Sequence, residues 1–551
     1  YAVVPAMAGL SKRSKKQSMK TAINWKLKGD DCMNLVTLFD FAVERFPNRV
    51  AVVEGNRRYT YRQFYKEVTR VAASLQKIGI KQHDRVIILL KNRLENTVIY
   101  WALQKIGAVY TPINFRLSVK EVEYCVNDSE ATAVVYESVS QDSVLKANFQ
   151  QKPILIGFGE VEGADIYYHE LVDRSPGHFE KPVINEHDVA LMLYTSGTTG
   201  KPKGVPRTHQ NEYSAALAHI IQNRYQDGES TLGTMPLYHT MGMRSLLSIM
   251  FLNGKYVVLP DFDEKEALEL LEREEITSLY LVPTLYHDIL NDPEFHQYNL
   301  SKLKKIGYAG ASMTTALTEK CIQMLKPEVF INHFGSTEIY TFTINPNVAE
   351  KPGCAGKPGF HQNVRIVKPD PDGHSTPEDM VEKGEVGEII VNIESPESFK
   401  GYWNRPDATK KAIRDGWYFT GDLGMLDEDG DLYVVGRIDD MIISGGENIH
   451  PLEVEDVLAK HPKVREVAVI GEEDDRWGQI VSAYIVPEDP SLTIQDLDNY
   501  CKHNTTLSNF KRPRKYVFVK EIPKSPVGKI LRRNLREGEF ELYIKENEKV
   551  M

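Results

Sequence analysis

From Asn34 onward the apolar positions switch repeatedly between helical spacing and short continuous runs. The spacing predicts a helix over 38–46, stopped by Pro47, and a strand over 50–53. Thr60 with Gln63 forms a capping box ahead of a long amphipathic helix that runs to residue 77. A strand over 86–90, a helix over 94–105 and a strand over 108–113 follow, and Ser118 with Glu121 caps a further helix. This βα alternation persists past Leu237, Leu281 and Val329 and implies an α/β architecture with mostly parallel sheets.

After about Gly387 the texture changes to short strands and turns, with Glu428-Asp429-Gly430-Asp431 a hairpin turn by composition. From Ile438 a compact α+β unit follows: a helix over 451–460, strands over 464–470 and 480–487, and a helix starting near Thr493. The expected fold is a large multi-subdomain N-terminal domain with mostly parallel sheets, plus a small α+β C-terminal domain on a hinge. The boundary falls within 436–440, giving domains over 26–437 and 438–551 behind a disordered leader over 1–25.

Bulk properties narrow the function. A chain of 551 residues exceeds one ordinary core. A net charge of −10 argues against a basic nucleic-acid surface, so any anionic ligand must meet local basic residues. No apolar run reaches the ~18–20 residues of a membrane span. Cys32, Cys125, Cys321, Cys354 and Cys501 are scattered without a C-x-x-C pair, which fits a reducing cytoplasm rather than a zinc or disulfide scaffold. The basic, polar stretch 11–20 lacks the apolar core of a secretory signal, and Met19 is a candidate natural start.

Candidate chemistry concentrates in residues 194–204, YTSGTTGKPKG, directly after the apolar run 189–193. A strand emptying into such a loop can wrap a polyphosphate. Glycines allow close backbone approach, Thr195, Ser196, Thr198 and Thr199 can donate hydrogen bonds, and Lys201 and Lys203 can neutralise charge. It is not the Walker loop: Gly197 and Gly200 are three apart, and Pro202 follows Lys201 where that motif opens a helix.

The loop resembles the phosphate-binding signature of adenylate-forming enzymes, and further segments extend the resemblance over nearly the whole chain. MPLYHTMG (235–242) resembles the family segment whose histidine, here His239, gates the acid pocket; Met241, Gly242, Leu285 and Gly310 would line that pocket. GYAGASM (307–313) is similar to the glycine-rich turn supporting adenine through Gly310, Ala311 and Ser312, with Ala309 and Ser312 departing from the commoner residues. NHFGSTE (332–338) implies Asn332, His333, Phe334 and Gly335 at the nucleotide, Phe334 on adenine, Thr337 on the α-phosphate and Glu338 on Mg²⁺. Read alone, its Ser-Thr-Glu would be a helix N-terminal cap.

The resemblance further implies that Asp422 in GWYFTGD holds the ribose hydroxyls, that Arg437 contacts ribose or phosphate, and that Asp439 is the hinge. Gly445 and Gly446 would line the CoA tunnel, and Lys529 in PKSPVGKILRR would bridge carboxylate and α-phosphate. Lys529, His239, Thr337 and Glu338 would thus be the catalytic set. The implied activity is an acyl-CoA or aryl-CoA synthetase using ATP, Mg²⁺ and coenzyme A on a fatty or aromatic acid, in the cytoplasm and compatible with a homodimer. PLYHTMGM lacks the aspartate that pairs an amino acid's amine, which disfavours amino-acid substrates. Loading of a separate acyl carrier protein is the alternative. Arg244 in the same run reads as structural or surface, with a distal carboxylate on the acid as its other role.

Overall fold

The computed structural model describes residues 34–173, 179–195, 201–370, 374–504, 507–525 and 528–543; the expected leader lies outside them. Two large sheets dominate. The first has seven strands: Arg85–Leu89, Val109–Pro112, Ala133–Tyr136, Ile154–Gly157, Ile166–Tyr167 and Val189–Thr195 run parallel, and Lys203–Thr208 closes one edge antiparallel. The second has nine, with a parallel centre of Val50–Glu54, Lys255–Val258, Ser230–Gly233, Ser278–Leu281, Lys305–Tyr308 and Val329–Phe334. Antiparallel strands flank it at both ends.

Helices pack between these sheets. Leu94–Ile106 and Thr240–Phe251 are buried at every residue. The main apolar cluster explains why: it joins Val86 and Ile88 of the first sheet to Val52 and Tyr256 of the second through Trp101 and Met250 on those helices. A helix covered on all sides has no polar stripe to show. The helix Tyr61–Lys77, by contrast, keeps one wet face and starts at the expected box, with Thr60 N donating to Gln63 Oε1 at 2.9 Å and Gln63 N to Thr60 Oγ1 at 3.3 Å.

A third, antiparallel sheet contains Gly387–Asn392, Trp417–Leu426 and Leu432–Arg437, the last two joined by the expected turn at Gly430 (φ +76°). From Ile442 a separate apolar cluster begins, built on Ile442, Val454, Val469, Ile485 and Leu497 around a further five-stranded sheet. Element types follow the sequence reading; bounds shift. The first helix starts at Leu35 because Asn34 Oδ1 accepts from Thr37 N at 3.0 Å. The strand Val464–Asp474 outlasts its apolar run because the ladder with Gly478–Pro487 continues to Asp474 opposite Gly478; backbone pairing does not require apolar side chains.

Candidate active site

The phosphate-loop candidate lies between two paired strands. Val189–Thr195 and Lys203–Thr208 pair antiparallel, with Thr195 opposite Lys203. Ser196, Gly197, Thr198, Thr199 and Gly200 lie outside the described residues. Lys203 is half-buried, which pushes its ammonium below the usual lysine range while the nearby Glu338 carboxylate opposes that shift. Its Nζ lies 4.2 Å from the centroid of the Tyr402 ring, and Lys201 Nζ lies 5.7 Å from that of Tyr124.

The same tyrosine reaches the acidic residue of the 332–338 segment. Tyr402 Oη donates to Glu338 Oε1 at 2.6 Å, and Glu338 is buried. Asn332, His333 and Phe334 end the strand Val329–Phe334, and a non-helical loop follows, so Ser336, Thr337 and Glu338 do not cap a helix. Ser336 Oγ instead accepts from Glu338 N (3.2 Å) and Ile339 N (3.4 Å), folding the loop on itself. A β-carbon on Gly335 would sit 2.2 Å from Tyr340 O, so glycine is required there. From beneath, the fully buried Arg207 donates through Nη1 to the carbonyls of Thr337 (3.3 Å) and Glu338 (3.1 Å), and through Nε to Glu212 at 2.6 Å. Asn332 and His333 turn inward: Asn332 Nδ2 donates to Cys354 O at 2.9 Å, and His333 meets Asn223. Phe334 packs edge-on against Phe342, with centroids 5.3 Å apart.

Asp422 and Arg437 face each other on neighbouring strands of the third sheet, Nη1 to Oδ1 at 2.6 Å. Burial pushes the Asp422 carboxyl up, while Arg437 and then Lys529 pull it back. Lys529 belongs to the C-terminal unit. Its turn is closed by Ser525 N donating to Lys529 O at 2.7 Å and Lys529 N to Ser525 Oγ at 3.1 Å. The turn docks on the large unit: a β-carbon on Gly528 would lie 3.4 Å from Thr284 Oγ1.

His239 caps the helix Thr240–Phe251, its Nδ1 accepting from Met241 N at 3.3 Å. With Nδ1 so engaged, the neutral ring carries its proton on Nε2. Burial, then the charges of Lys529 and Arg244, lower its pKa to about 3. Lys529 therefore acts electrostatically on both His239 and Asp422. A β-carbon on Gly242 would meet Pro236 O at 2.2 Å, so glycine lets the helix start close against the preceding segment. Met241 is buried and Leu285 half-buried in the apolar cluster beside it; Gly310 (φ +86°) is followed by the exposed Ala311 and Ser312.

The remaining candidates sit apart. Asp439 is exposed in the 3₁₀ turn Ile438–Asp440. Gly445 (φ +61°) and Gly446 (φ +87°) form the exposed tip of the hairpin Ile442–Ser444/Glu447–Ile449, where Gly445 N donates to Trp477 O at 2.8 Å.

The AMP-binding enzyme family model matches residues 39–403, and that of the AMP-binding enzyme C-terminal domain matches 453–529. The chain belongs to the AMP-binding enzyme family. A feruloyl-CoA synthase of Amycolatopsis sp is 34% identical over 494 residues, 89% of this chain and 96% of that protein. A 4-chlorobenzoate–CoA ligase of Arthrobacter sp is 32% identical over 508 residues, 91% and 94% of the two chains. In structure, the o-succinylbenzoate CoA synthetase of Bacillus subtilis in complex with its acyl-adenylate intermediate superposes with a TM-score of 0.79 at 28% identity, covering 91% of this chain and 97% of that one. Three residues that buttress the site in this AMP-binding enzyme carry no motif: Arg207, Glu212 and Tyr402. The signal for Tyr402 is weak, an aromatic pair with Trp403 shortly after Phe399. Arg207 and Glu212 sit in a mostly polar run, PRTHQNEYS, that gives no sign of burial, and only the tertiary structure reveals that they pair.

Proposed function

We propose that this AMP-binding enzyme is an ATP-dependent acyl-CoA synthetase, an acid–thiol ligase for an aromatic or fatty acid. A carboxylate oxygen attacks the α-phosphorus of ATP, pyrophosphate leaves, and acyl-AMP forms. The CoA sulfur then attacks the acyl carbon, AMP leaves, and the thiol proton passes to solvent. The observation that carries this reading is the docking of Gly528, next to Lys529, against Thr284 of the large unit, where a β-carbon on Gly528 would lie 3.4 Å from Thr284 Oγ1, so that the Lys529 charge bears on the buried His239 and Asp422. A cation so placed neutralises charge where two anions must meet.

In this reading the hairpin with Thr195, Lys201 and Lys203 cradles the leaving phosphates, Thr337 holds the α-phosphate, and Asp422 with Arg437 binds ribose. Phe334 and the Gly310–Ser312 turn border adenine. His239, neutral at physiological pH, offers an Nε2 donor beside the acid without adding charge. Glu338 is a buried hard-oxygen ligand steadied on one oxygen by Tyr402, a donor suited to Mg²⁺. Bound there, the ion would offset phosphate charge. We further assign 26–437 and 438–551 as the two domains, with Asp439 as hinge and Gly445 and Gly446 as the CoA-facing turn once the small domain rotates. The cytoplasm is the compartment that fits four buried, unpaired cysteines, Cys125, Cys321, Cys354 and Cys501.

The test is incubation with ATP, Mg²⁺, CoA and a panel of acids, following AMP by chromatography and acyl-CoA by mass spectrometry. AMP and acyl-CoA in equal amounts are expected. Acid-dependent ADP, or an adenylate released only to a carrier protein, would overturn the proposal.

A further inference from the structure

Five residues beyond His239, on the same buried helix, Arg244 is 3% exposed. Its Nη1 donates to Thr341 Oγ1 at 2.5 Å and its Nη2 to the hydroxyl of Tyr280, both neutral. Its Nε has no partner, and among the described residues no carboxylate forms an ion pair with it. Arg207, the other fully buried arginine nearby, has Glu212 at 2.6 Å. The contrast matters because an unpaired buried guanidinium costs several kcal/mol, and proteins normally pair it.

The surroundings add donors, not anions. His219 and His333 lie with centroids 5.1 Å apart, each within 5.2 Å of the Tyr280 ring and each hydrogen-bonded to Asn223. Burial and the Arg244 charge hold both histidines well below their usual pKa, so they remain neutral. His219 Nε2 and His333 Nδ1 are buried without partners. The cluster thus has one fixed positive charge, unused polar atoms and, among the described residues, no counter-ion, and its arginine shares a buried helix with the residue assigned to gate the acid.

We propose that Arg244 recognises a second carboxylate on the substrate, so that the acid activated here is a dicarboxylic acid with one carboxylate at the reaction centre and the other at Arg244. The assignment rests on the acyl-CoA synthetase reading. It explains the burial: the substrate supplies the missing anion, and a plain alkyl or aryl tail would leave the guanidinium unpaired. Sites built around a polar partner reject analogues lacking it by ~10⁴-fold or more, against ~10–200-fold for a missing methylene.

The test compares matched acids in ATP–pyrophosphate exchange and acyl-CoA formation: succinate against butyrate, adipate against hexanoate, terephthalate against 4-methylbenzoate. At least one dicarboxylate is expected to exceed its partner in kcat/KM by ~10² or more. Arg244→Met should erase or invert that ratio, a change in selectivity that general damage would not produce. The wild-type panel decides the matter even if that variant does not fold. Turnover of the monoacids with no dicarboxylate preferred overturns this inference and leaves the ligase reading intact. Turnover of neither class, with no acid-dependent AMP, overturns the ligase reading and this inference with it.

Discussion

Replacing Tyr402 by Phe removes one oxygen from the site and little else. The ring would stay where it is, 4.2 Å from Lys203 Nζ and edge-on to Phe399 at 5.0 Å. What is lost is the 2.6 Å hydrogen bond that Oη donates to Glu338 Oε1. Tyr402 and Glu338 are both buried, so water cannot easily take the vacated place. A hydrogen bond to a charged group contributes ~1.5–3 kcal/mol. If that energy holds Glu338 in its working orientation, adenylation should slow by about 10- to 100-fold, at ~1.4 kcal/mol per decade. The loss should shrink as Mg²⁺ is raised, since a loosened ligand weakens metal binding before it abolishes it. The assay is acid-dependent ATP–pyrophosphate exchange over a range of Mg²⁺, beside CoA transfer from chemically prepared acyl-AMP. Unchanged exchange, or equal damage to both half-reactions, would refute the reasoning.

Other perturbations separate the halves of the reaction. Lys529→Ala should slow exchange by ~10²–10³, the range for one lost charge-stabilising donor, while transfer from preformed acyl-AMP survives; parallel loss of both would count against its assignment. Gly446→Trp should do the reverse, blocking thioester formation while exchange continues, and a variant losing exchange alone would remove the glycine turn from the CoA path. Stability should fall on acidification. Burial lowers His209 to about 4 and His239 to about 3, below the ~6.5 of an unfolded chain. Below ~6.5 the unfolded state therefore takes up protons that the folded state refuses, and stability present above that pH is lost towards pH 4, on the order of 3 kcal/mol for His209 alone. Denaturant titrations at pH 8, 6 and 5 test this; a midpoint constant across them would contradict it.

The sequence shows much of this molecule because its local signals agree with its tertiary structure. Thr60–Gln63 and Ser118–Glu121 cap where they were expected to, and Asn34 caps too, though a reading led by apolar spacing starts that helix late. The motif residues are legible because each packs a specific chemistry into a few adjacent positions. The supporting shell is not, since Tyr402 meets Glu338 across 64 positions and Arg207 meets Thr337 across 130. Arg244 marks the limit most clearly. Its letter in PLYHTMGMR suggests a surface or structural arginine, and only packing shows a buried charge without a carboxylate.

The central claim is that a carboxylate oxygen attacks the α-phosphorus of ATP. It is tested most directly with an acid labelled in both carboxylate oxygens with ¹⁸O, turned over with ATP, Mg²⁺ and CoA, and analysed by mass spectrometry of the nucleotide and pyrophosphate. One ¹⁸O in the phosphate of AMP and none in pyrophosphate is the predicted result. Label in pyrophosphate or inorganic phosphate, or unlabelled AMP alongside acyl-CoA, would contradict it.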